Sequence, residues 1–285
     1  FKSNSNLRIL HITNFNERHN VRLFFNTGSI IYNVFIRLCH SVLEFSDRDI
    51  VSKGKSMRDL DGSRTLNDKL IKTCYHFKPD IIVLGHADMV SQQVLYDLKN
   101  KQRILNKSEI LDSNFLTTSP DALNFLPKNC KSYFIPNPSD KSMETLNNYK
   151  NDCSNDVFFA LSHGVHRGKL KYRSTDDRET FIKELINKCK NIKFDIFGMD
   201  NIQPIWADQY FKNISNSKMG LNLSRGTPIK YYSSDRITQI IGNGLVTLID
   251  EKTCYNHFFD KSEMVFYKNI SDLSEQIERI SLDEK

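Results

Sequence analysis

Hydrophobic positions along the chain alternate between short uninterrupted runs and longer stretches with helical spacing. The run Asp80–Leu84 lies between Pro79 and Gly85, so we expect a strand that is buried on both faces. The first half predicts, in order, a strand at Leu7–Ile12, a helix at Ser29–Phe45, a weak strand at Asp49–Val51, a helix at Leu66–Phe77, the strand at Asp80–Leu84, a helix at Ser91–Lys99 and weaker strands at Phe115–Thr118 and Tyr133–Ile135. Strands that alternate with helices indicate βαβ units and a mainly parallel sheet.

The second half repeats this alternation after a polar stretch, Pro136–Asp156, which we interpret as the connection between two domains. Its predicted strands are Val157–Leu161, Lys193–Phe197, Met219–Leu223, Leu245–Ile249 and Met264–Tyr267, and its predicted helices are Arg178–Lys190, Trp206–Asn213, Asp235–Ile241 and Ser271–Ile280. The sequence therefore predicts an α/β fold with two Rossmann-like domains, residues 1–145 and 146–285. We expect their parallel sheets to face a cleft that holds the ligand, because ligands of such folds bind at the carboxyl ends of the strands.

Composition narrows the class of protein. The chain has 285 residues, 39% of them hydrophobic, and its 19 Phe and 11 Tyr argue against intrinsic disorder. No apolar run reaches the roughly 18 residues of a membrane span, and residues 1–6 lack an apolar signal segment, so we expect a cytoplasmic protein. Lys and Arg outnumber Asp and Glu by 40 to 34, a net charge of +6. This charge favours acidic partners such as phosphates, nucleic acid or an anionic membrane.

The sequence lacks the common cofactor motifs. It contains no Walker A sequence and no GxGxxG after the first strand, where only Gly28 opens the helix. ATPase and dinucleotide dehydrogenase functions therefore lose their main support. His163 and His166 have no Cys or carboxylate at a ligand spacing, so no metal and no other cofactor is expected.

The basic loop Ser162–Arg173 directly follows a predicted strand of the second half. Two glycines would let a ligand approach its backbone, and Arg167 and Lys169 supply positive charge. This combination suits a diphosphate, which is bound by backbone N–H groups and charged donors. A solvated basic loop explains the same residues equally well.

Further candidates lie at other strand ends of the second half. Ser233, Ser234 and Arg236 stand at the start of a predicted helix, where an anion could bind; simple helix capping accounts for the serines as well. Gly198, and Ser224 with Arg225, each follow a strand and form either a turn or a binding loop. Their common position at the carboxyl edge of one sheet favours binding.

In the first half, His86 and Asp88 come immediately after the strand Asp80–Leu84, at the edge expected to face the cleft. A structural loop histidine and a helix cap are the alternative explanation. His11 lies within the first strand and is interpreted as structural.

Several segments, taken in order, resemble a known family. KPDIIVLGH resembles a "kPDvi..H" strand end, YFIPNPSD resembles an "lPNgvd" exit into a linker, and KMGLNLS with DRITQIIGNGLVTLID is similar to "LN.s......R..E.lacG..vlt.d". These are motifs of the GT-B glycosyltransferases, particularly the group 1-like set related to spore-maturation-type transferases. The resemblance covers most of the chain and is stronger in the second half.

The resemblance implies a role for each candidate. Arg167 and Lys169 would grip the diphosphate of a nucleotide-sugar donor, and Ser233, Ser234 and Arg236 would meet it from the helix start. Gln239 stands where the family usually has a Glu that binds the ribose hydroxyls. His86 would lie near the donor sugar, and Asp88 is a candidate base if the reaction inverts. GT-B enzymes generally need no bound metal, because cations and helix dipoles stabilise the leaving group.

The leading hypothesis is therefore a glycosyltransferase that acts on a glycan, glycolipid or protein acceptor, with peripheral contact to an anionic membrane as a further expectation. A sugar-nucleotide epimerase of the same build, or a non-catalytic nucleotide-sugar-binding module, would share the same phosphate features. Nucleic-acid binding ranks last, since the sequence shows no RRM, KH or helix-turn-helix pattern.

Overall fold

The computed structural model describes residues 6–20, 22–85, 87–101, 114–117, 131–162, 165–166, 169–170, 177–232 and 234–282. The chain divides into two compact units, one of residues 1–115 and 126–133 and one of residues 116–125 and 134–285. The predicted domain boundary at residues 145 and 146 stays a prediction. Each unit contains a parallel sheet with helices, which confirms the α/β class.

The first unit is built on a three-stranded parallel sheet in the order β2-β1-β3. Its elements are β1 (Arg8–Thr13), α1 (Thr27–Arg37), β2 (Ser41–Ser46), α2 (Asp47–Gly54), α3 (Ser63–Phe77), β3 (Ile81–Leu84) and α4 (Gln92–Lys101). Leu10 and Ile12 of β1 form its core with Leu66 and Leu70 of α3, all fully buried. Two further strands, β4 (Asn114–Thr117) and β5 (Lys131–Phe134), pair with each other.

The prediction of a helix over Ser29–Phe45 and a strand at Asp49–Val51 is wrong. The helix ends at Arg37, and the chain reverses through Cys39 in the left-handed conformation (φ 63°). The next residues form β2, which pairs along its whole length with β1, and Asp49–Val51 lies in α2. Pairing with a strand more than thirty residues away thus overrides the local helical spacing.

The expectation that β3 is buried on both faces is also wrong. Among the described strands of its sheet, β3 stands at one end of the order, and Leu84 is 46% exposed. The turn after β3 leaves no room for a side chain at Gly85, because a Cβ there would lie 2.6 Å from Thr13 Oγ1. A Cβ at Gly28, at the start of α1, would lie 2.7 Å from the Thr13 methyl carbon. Thr13 therefore fills the space between the two glycines.

The second unit contains a five-stranded parallel sheet in the order β12-β11-β10-β6-β9. Its elements are β6 (Asn155–Ala160), β7 (Val165–His166), β8 (Lys169–Leu170), α5 (Asp177–Lys188), β9 (Phe194–Phe197), α6 (Ala207–Ile214), β10 (Ser217–Asn222), α7 (Arg236–Gly242), β11 (Val246–Asp250), β12 (Val265–Tyr267) and α8 (Ile270–Leu282). Neighbouring side chains of β6 point to opposite faces of the sheet. Phe159 packs with α5 and α8 on one face, and Phe158 packs with α6 and α7 on the other.

The polar stretch Pro136–Asp156, interpreted as a connection, packs into the second unit. Asn148 is buried, and its Nδ2 donates to Ile214 O at 2.8 Å and Ser217 O at 2.9 Å. Leu146 N donates to Asn243 Oδ1 at 3.2 Å, at the end of α7. These bonds fix the stretch beside the amino end of β10.

His11 gives the first unit a specific acid sensitivity. Its ring is fully buried between Phe15 and Phe35, neither nitrogen has a hydrogen-bond partner among the described residues, and burial lowers its pKa to about 4. The unfolded chain therefore binds this proton from about pH 6.5 downwards, while the folded chain does not. The stability that the neutral His11 ring contributes is fully present above that pH and is lost as the pH falls towards 4.

We expect the wild-type free energy of unfolding to fall by about 2 kcal/mol more than that of His11→Leu between pH 7 and pH 5. Urea unfolding at the two pH values measures the difference. His76→Leu, an exposed position on α3, is the control and should keep the wild-type dependence. Equal pH profiles for wild type and His11→Leu would contradict the prediction.

Candidate functional site

The carboxyl ends of all five parallel strands of the second unit meet at one edge of its sheet. A cavity of about 270 Å³ lies at this edge. Three strand ends contribute to its wall, with Asn222 of β10, Asp250 of β11 and Tyr267 of β12, and the start of α5 contributes Asp177 and Arg178. The cavity thus lies where ligands bind in open α/β sheets.

The segment from Leu223 to Tyr232 forms another wall of this cavity. Asp177 Oδ2 accepts a hydrogen bond from Gly226 N at 2.8 Å, which ties the segment to α5. At its other end, Tyr231 N donates to Thr253 O at 2.7 Å. Gly226 has φ 71°, and no atom lies within 4 Å of the position that a Cβ would take. This glycine leaves the backbone of the cavity wall uncovered.

Three predicted residues lie at the cavity or next to the residues that line it. Ser224 lines it. Ser234 lies behind that wall, with its Oγ 3.5 Å from Oδ1 of the lining residue Asn222. Arg225 is exposed between the lining residues Ser224 and Gly226. The structure thus brings these three predicted positions to one place.

Arg236 binds backbone oxygens at two strand ends. Its Nη1 donates to Leu223 O at 2.9 Å and to Ser234 Oγ at 3.3 Å, and its Nη2 donates to Ala160 O at 3.2 Å. The guanidinium carbon lies 4.8 Å from the centre of the Phe159 ring. Burial lowers the pKa of the guanidinium, and the charge of Arg178 acts in the same direction. Arg236 therefore joins the end of β6 to the segment that follows β10.

Three other predicted residues, Gln239, Gly198 and Lys169, do not line this cavity. Gln239 lies on α7 and does not line it. Gly198 has φ 83°, and a Cβ there would lie 1.9 Å from Leu161 O, so packing of the chain itself requires this glycine. Lys169 is exposed on the short hairpin of β7 and β8. His86, Arg167 and Ser233 lie outside the described residues. The roles of these positions stay predictions.

The helix that carries Arg236 has the predicted length of seven residues and begins one residue later than predicted. Helix α7 has seven residues, and the side chain of Asp235 makes no capping hydrogen bond to it. Instead Ile237 N donates to Ser234 O at 3.1 Å. The backbone turn, more than a side-chain cap, defines where this helix begins.

In the first unit, Asp88 forms a two-point ion pair with Arg48. Arg48 Nε lies 3.0 Å from Asp88 Oδ1, and Nη2 lies 2.8 Å from Oδ2. The neighbouring Asp47 is fully buried, and its Oδ2 accepts from Met89 N at 3.2 Å. The start of α2 thus holds the segment after β3 through two side chains. Arg48 therefore orients the Asp88 carboxylate, while 58% of the Asp88 side chain stays exposed.

Sequence reasoning missed several lining residues, notably Asp177, Arg178, Asp250, Thr253 and Tyr267. Asp250 and Tyr267 are the last residues of their strands, so their position at the carboxyl edge was available as a signal. Within the described part of the chain, no group of three or more His, Cys, Asp or Glu side chains could hold a metal ion. None of the helices described has the length and apolar character needed to cross a membrane.

Comparison with known proteins finds a similarity in the second unit. Residues 173–285 match the family model described as "Glycosyl transferase-like". Every lining residue of the cavity falls within this range. Residues 173–285, and with them every residue that lines the cavity, are therefore similar to a glycosyl transferase-like domain.

Two solved structures are similar to the chain over 98% of its length. One is the glycosyltransferase SnogD from Streptomyces nogalater, with TM-score 0.44, 11% identity and 91% of that chain covered. The other is UDP-GlcNAc 2-epimerase from Neisseria meningitidis bound to UDP-GlcNAc, with TM-score 0.37, 12% identity and 100% of that chain covered. A search of curated proteins finds no match.

Arg236→Ala should lower both stability and nucleotide affinity. Removing the guanidinium leaves two backbone oxygens without a charged donor, and hydrogen bonds to charged groups contribute about 1.5–3 kcal/mol each. We expect the free energy of unfolding to fall by about 2 kcal/mol and nucleotide affinity to fall about tenfold. Urea unfolding and calorimetry measure the two effects. Arg279→Ala, an exposed arginine on α8, should change neither, and unchanged stability in Arg236→Ala would refute the structural role.

Proposed function

We propose that the protein is a glycosyltransferase that moves a sugar from a nucleotide-diphosphate donor to a glycan, glycolipid or protein acceptor. The observation that carries this proposal is the cavity at the carboxyl edge of the second sheet, whose lining residues all lie in the glycosyl transferase-like domain. A volume of about 270 Å³ is just below the range of ligand sites, roughly 300–1,000 Å³. The cavity would therefore hold one part of the donor.

The residues inside the cavity and the cations outside it suit different parts of the donor. Inside the cavity, Asp177 and Asp250 offer carboxylate acceptors beside the apolar Phe181 and Ile229. Outside it, Lys169 and Arg236 are the predicted contacts of the diphosphate. Positive side chains in fixed positions stabilise the negative charge that builds up on a departing nucleoside diphosphate.

In the transfer step, an acceptor oxygen would form a bond to the anomeric carbon of the sugar as the bond from that carbon to the phosphate oxygen breaks. The nucleoside diphosphate leaves with the bonding electron pair, and the acceptor proton passes to a base. The proposed catalytic residues are His86, near the donor sugar, and Asp88, the base if the reaction inverts. The ion pair with Arg48 would keep the Asp88 carboxylate oriented.

The proposal is tested by incubating the full chain with a panel of nucleotide sugars, with and without glycan and glycolipid acceptors. We expect release of nucleoside diphosphate and a glycosylated product, and the same rate in the presence of EDTA. An altered sugar formed from donor alone would support an epimerase instead. Binding without any turnover would leave only a binding module, and loss of activity in EDTA restored by Mg²⁺ or Mn²⁺ would refute the metal-independent scheme.

Peripheral membrane contact is a second part of the proposal, and an apolar loop of the first unit supports it. Met57 is 97% exposed and Leu60 is 83% exposed between α2 and α3, next to the exposed Arg58. The loop is rigid: Ser56 and Asp59 exchange backbone hydrogen bonds of 3.0 and 3.1 Å, and the Asp59 carboxylate accepts from Thr65 N at 2.7 Å. Two exposed apolar side chains beside an exposed cation suit binding to an anionic lipid surface, where the apolar groups insert and the cation contacts the headgroups.

The double variant Met57→Ser/Leu60→Ser should sediment with phosphatidylglycerol vesicles severalfold less than the wild type, since apolar burial contributes about 25 cal/mol per Å². Leu282→Ser, at a position 81% exposed on α8, is the matched control and should bind like the wild type. Equal sedimentation of the double variant and the control would remove this loop from the proposal.

A further inference from the structure

Tyr267 carries a hydroxyl group that pairs with none of the described residues. The residue ends β12 and lines the cavity of the second unit. Its side chain is almost fully buried, and its Oη has no hydrogen-bond partner among the described residues. Buried hydroxyl groups are normally paired, because an unpaired one loses its hydrogen bond to water without a replacement.

Packing alone does not explain this hydroxyl. The Tyr267 ring belongs to the core formed with α5 and α8, and it lies 6.3 Å from the Phe181 ring. A phenylalanine would fill the same space and make the same ring contacts. Ring packing therefore accounts for the aromatic ring of Tyr267 and does not account for its hydroxyl oxygen.

Asp250 stands beside Tyr267 in the sheet. The two residues are register partners in the parallel pair of β11 and β12, and both line the cavity. Asp250 Oδ1 accepts from Lys252 N at 2.8 Å, and Thr253 Oγ1 donates to Asp250 O at 2.7 Å, so the strand end is held in place. Burial, with the charge of Asp250, raises the pKa of the Tyr267 hydroxyl, which therefore keeps its proton.

The cavity also carries a second carboxylate. Asp177 lines it from the start of α5, whereas Asp250 lines it from a strand end. Arg178 is the only cation among the described lining residues. Two carboxylates near one cation disfavour a phosphate group, because like charges repel at short range. They favour a neutral ligand with hydroxyl groups, which donate to carboxylate oxygens.

We infer that Asp250 and Tyr267 together bind a hydroxyl group of a polyol, either the ribose or the sugar of the donor, and that the cavity excludes the phosphates. The Asp250 carboxylate accepts the ligand's O–H, and the Tyr267 O–H donates to the ligand's oxygen. This inference rests on the proposed function and adds which portion of the donor the cavity holds.

The test compares two tyrosines of the second unit. Tyr210 Oη is also buried without a hydrogen-bond partner among the described residues, but Tyr210 does not line the cavity. Tyr267→Phe and Tyr210→Phe therefore each remove a buried hydroxyl group, one from a residue that lines the cavity and one from a residue that does not. Both variants should melt at or above the wild-type temperature, because each loses an unpaired polar atom.

Calorimetry with nucleotide sugars, ribonucleosides, free sugars and inorganic diphosphate measures the affinities. We expect Tyr267→Phe to weaken the hydroxyl-bearing ligands about tenfold and Tyr210→Phe to leave them unchanged. A deoxy analogue that lacks the bound hydroxyl should bind wild type and Tyr267→Phe equally, which identifies the pair by a double-mutant cycle. Asp250→Asn should also weaken the hydroxyl-bearing ligands, and diphosphate alone should not respond to Tyr267→Phe.

Unchanged affinity of Tyr267→Phe for every hydroxyl-bearing ligand would overturn the inference, even if the wild type transfers sugar. Hydroxyl-dependent binding that is lost in Tyr267→Phe, without any transfer, would uphold the inference and refute the proposed transferase activity. If no probe binds the wild type, both fail.

Discussion

One buried guanidinium holds the carboxyl edge of the second sheet together. Arg236 starts on α7, but its nitrogens reach backbone oxygens at the end of β6 and after the end of β10. These two strands are neighbours in the sheet, and the segment after β10 is a wall of the cavity. The position of that wall therefore depends on a charged side chain that the cavity itself does not contain.

Around this contact, the wall is secured at both ends by different means. The Asp177 carboxylate holds Gly226 at one end, and a backbone hydrogen bond joins Tyr231 to Thr253 at the other. Tyr231 has φ 60°, an unfavourable conformation for a bulky residue, and its Oη lies 2.7 Å from His257 Nδ1. The wall is thus a fixed part of the site, which suits groups that must be held in one orientation.

The sequence was most informative where apolar runs are short and uninterrupted. All five strands of the second sheet lie within two residues of their predicted bounds. The region from Leu38 to Ser46 was mispredicted, since Cys39 reverses the chain without a glycine or proline and β2 is defined by its distant partner β1.

The site was readable from sequence only in part. Ser224 follows a predicted strand and lines the cavity, so the rule that ligands bind at strand ends found it. The same rule does not say which of several residues at a strand end faces the ligand, so Asp250 and Tyr267 were overlooked. The bond from Arg236 to Ala160 joins residues 76 positions apart, and no local pattern encodes such a contact.

Both sheets are parallel, but the side chain of Thr13 gives the carboxyl edge of the first sheet less open space at its glycines than the second sheet has at Gly226. Its methyl and hydroxyl groups occupy the space between Gly28 and Gly85, where the first strand turns into the first helix. In the second unit, the corresponding edge keeps an open volume beside Gly226. A ligand at this point of the first sheet would meet the Thr13 side chain, whereas a ligand beside Gly226 would meet bare backbone.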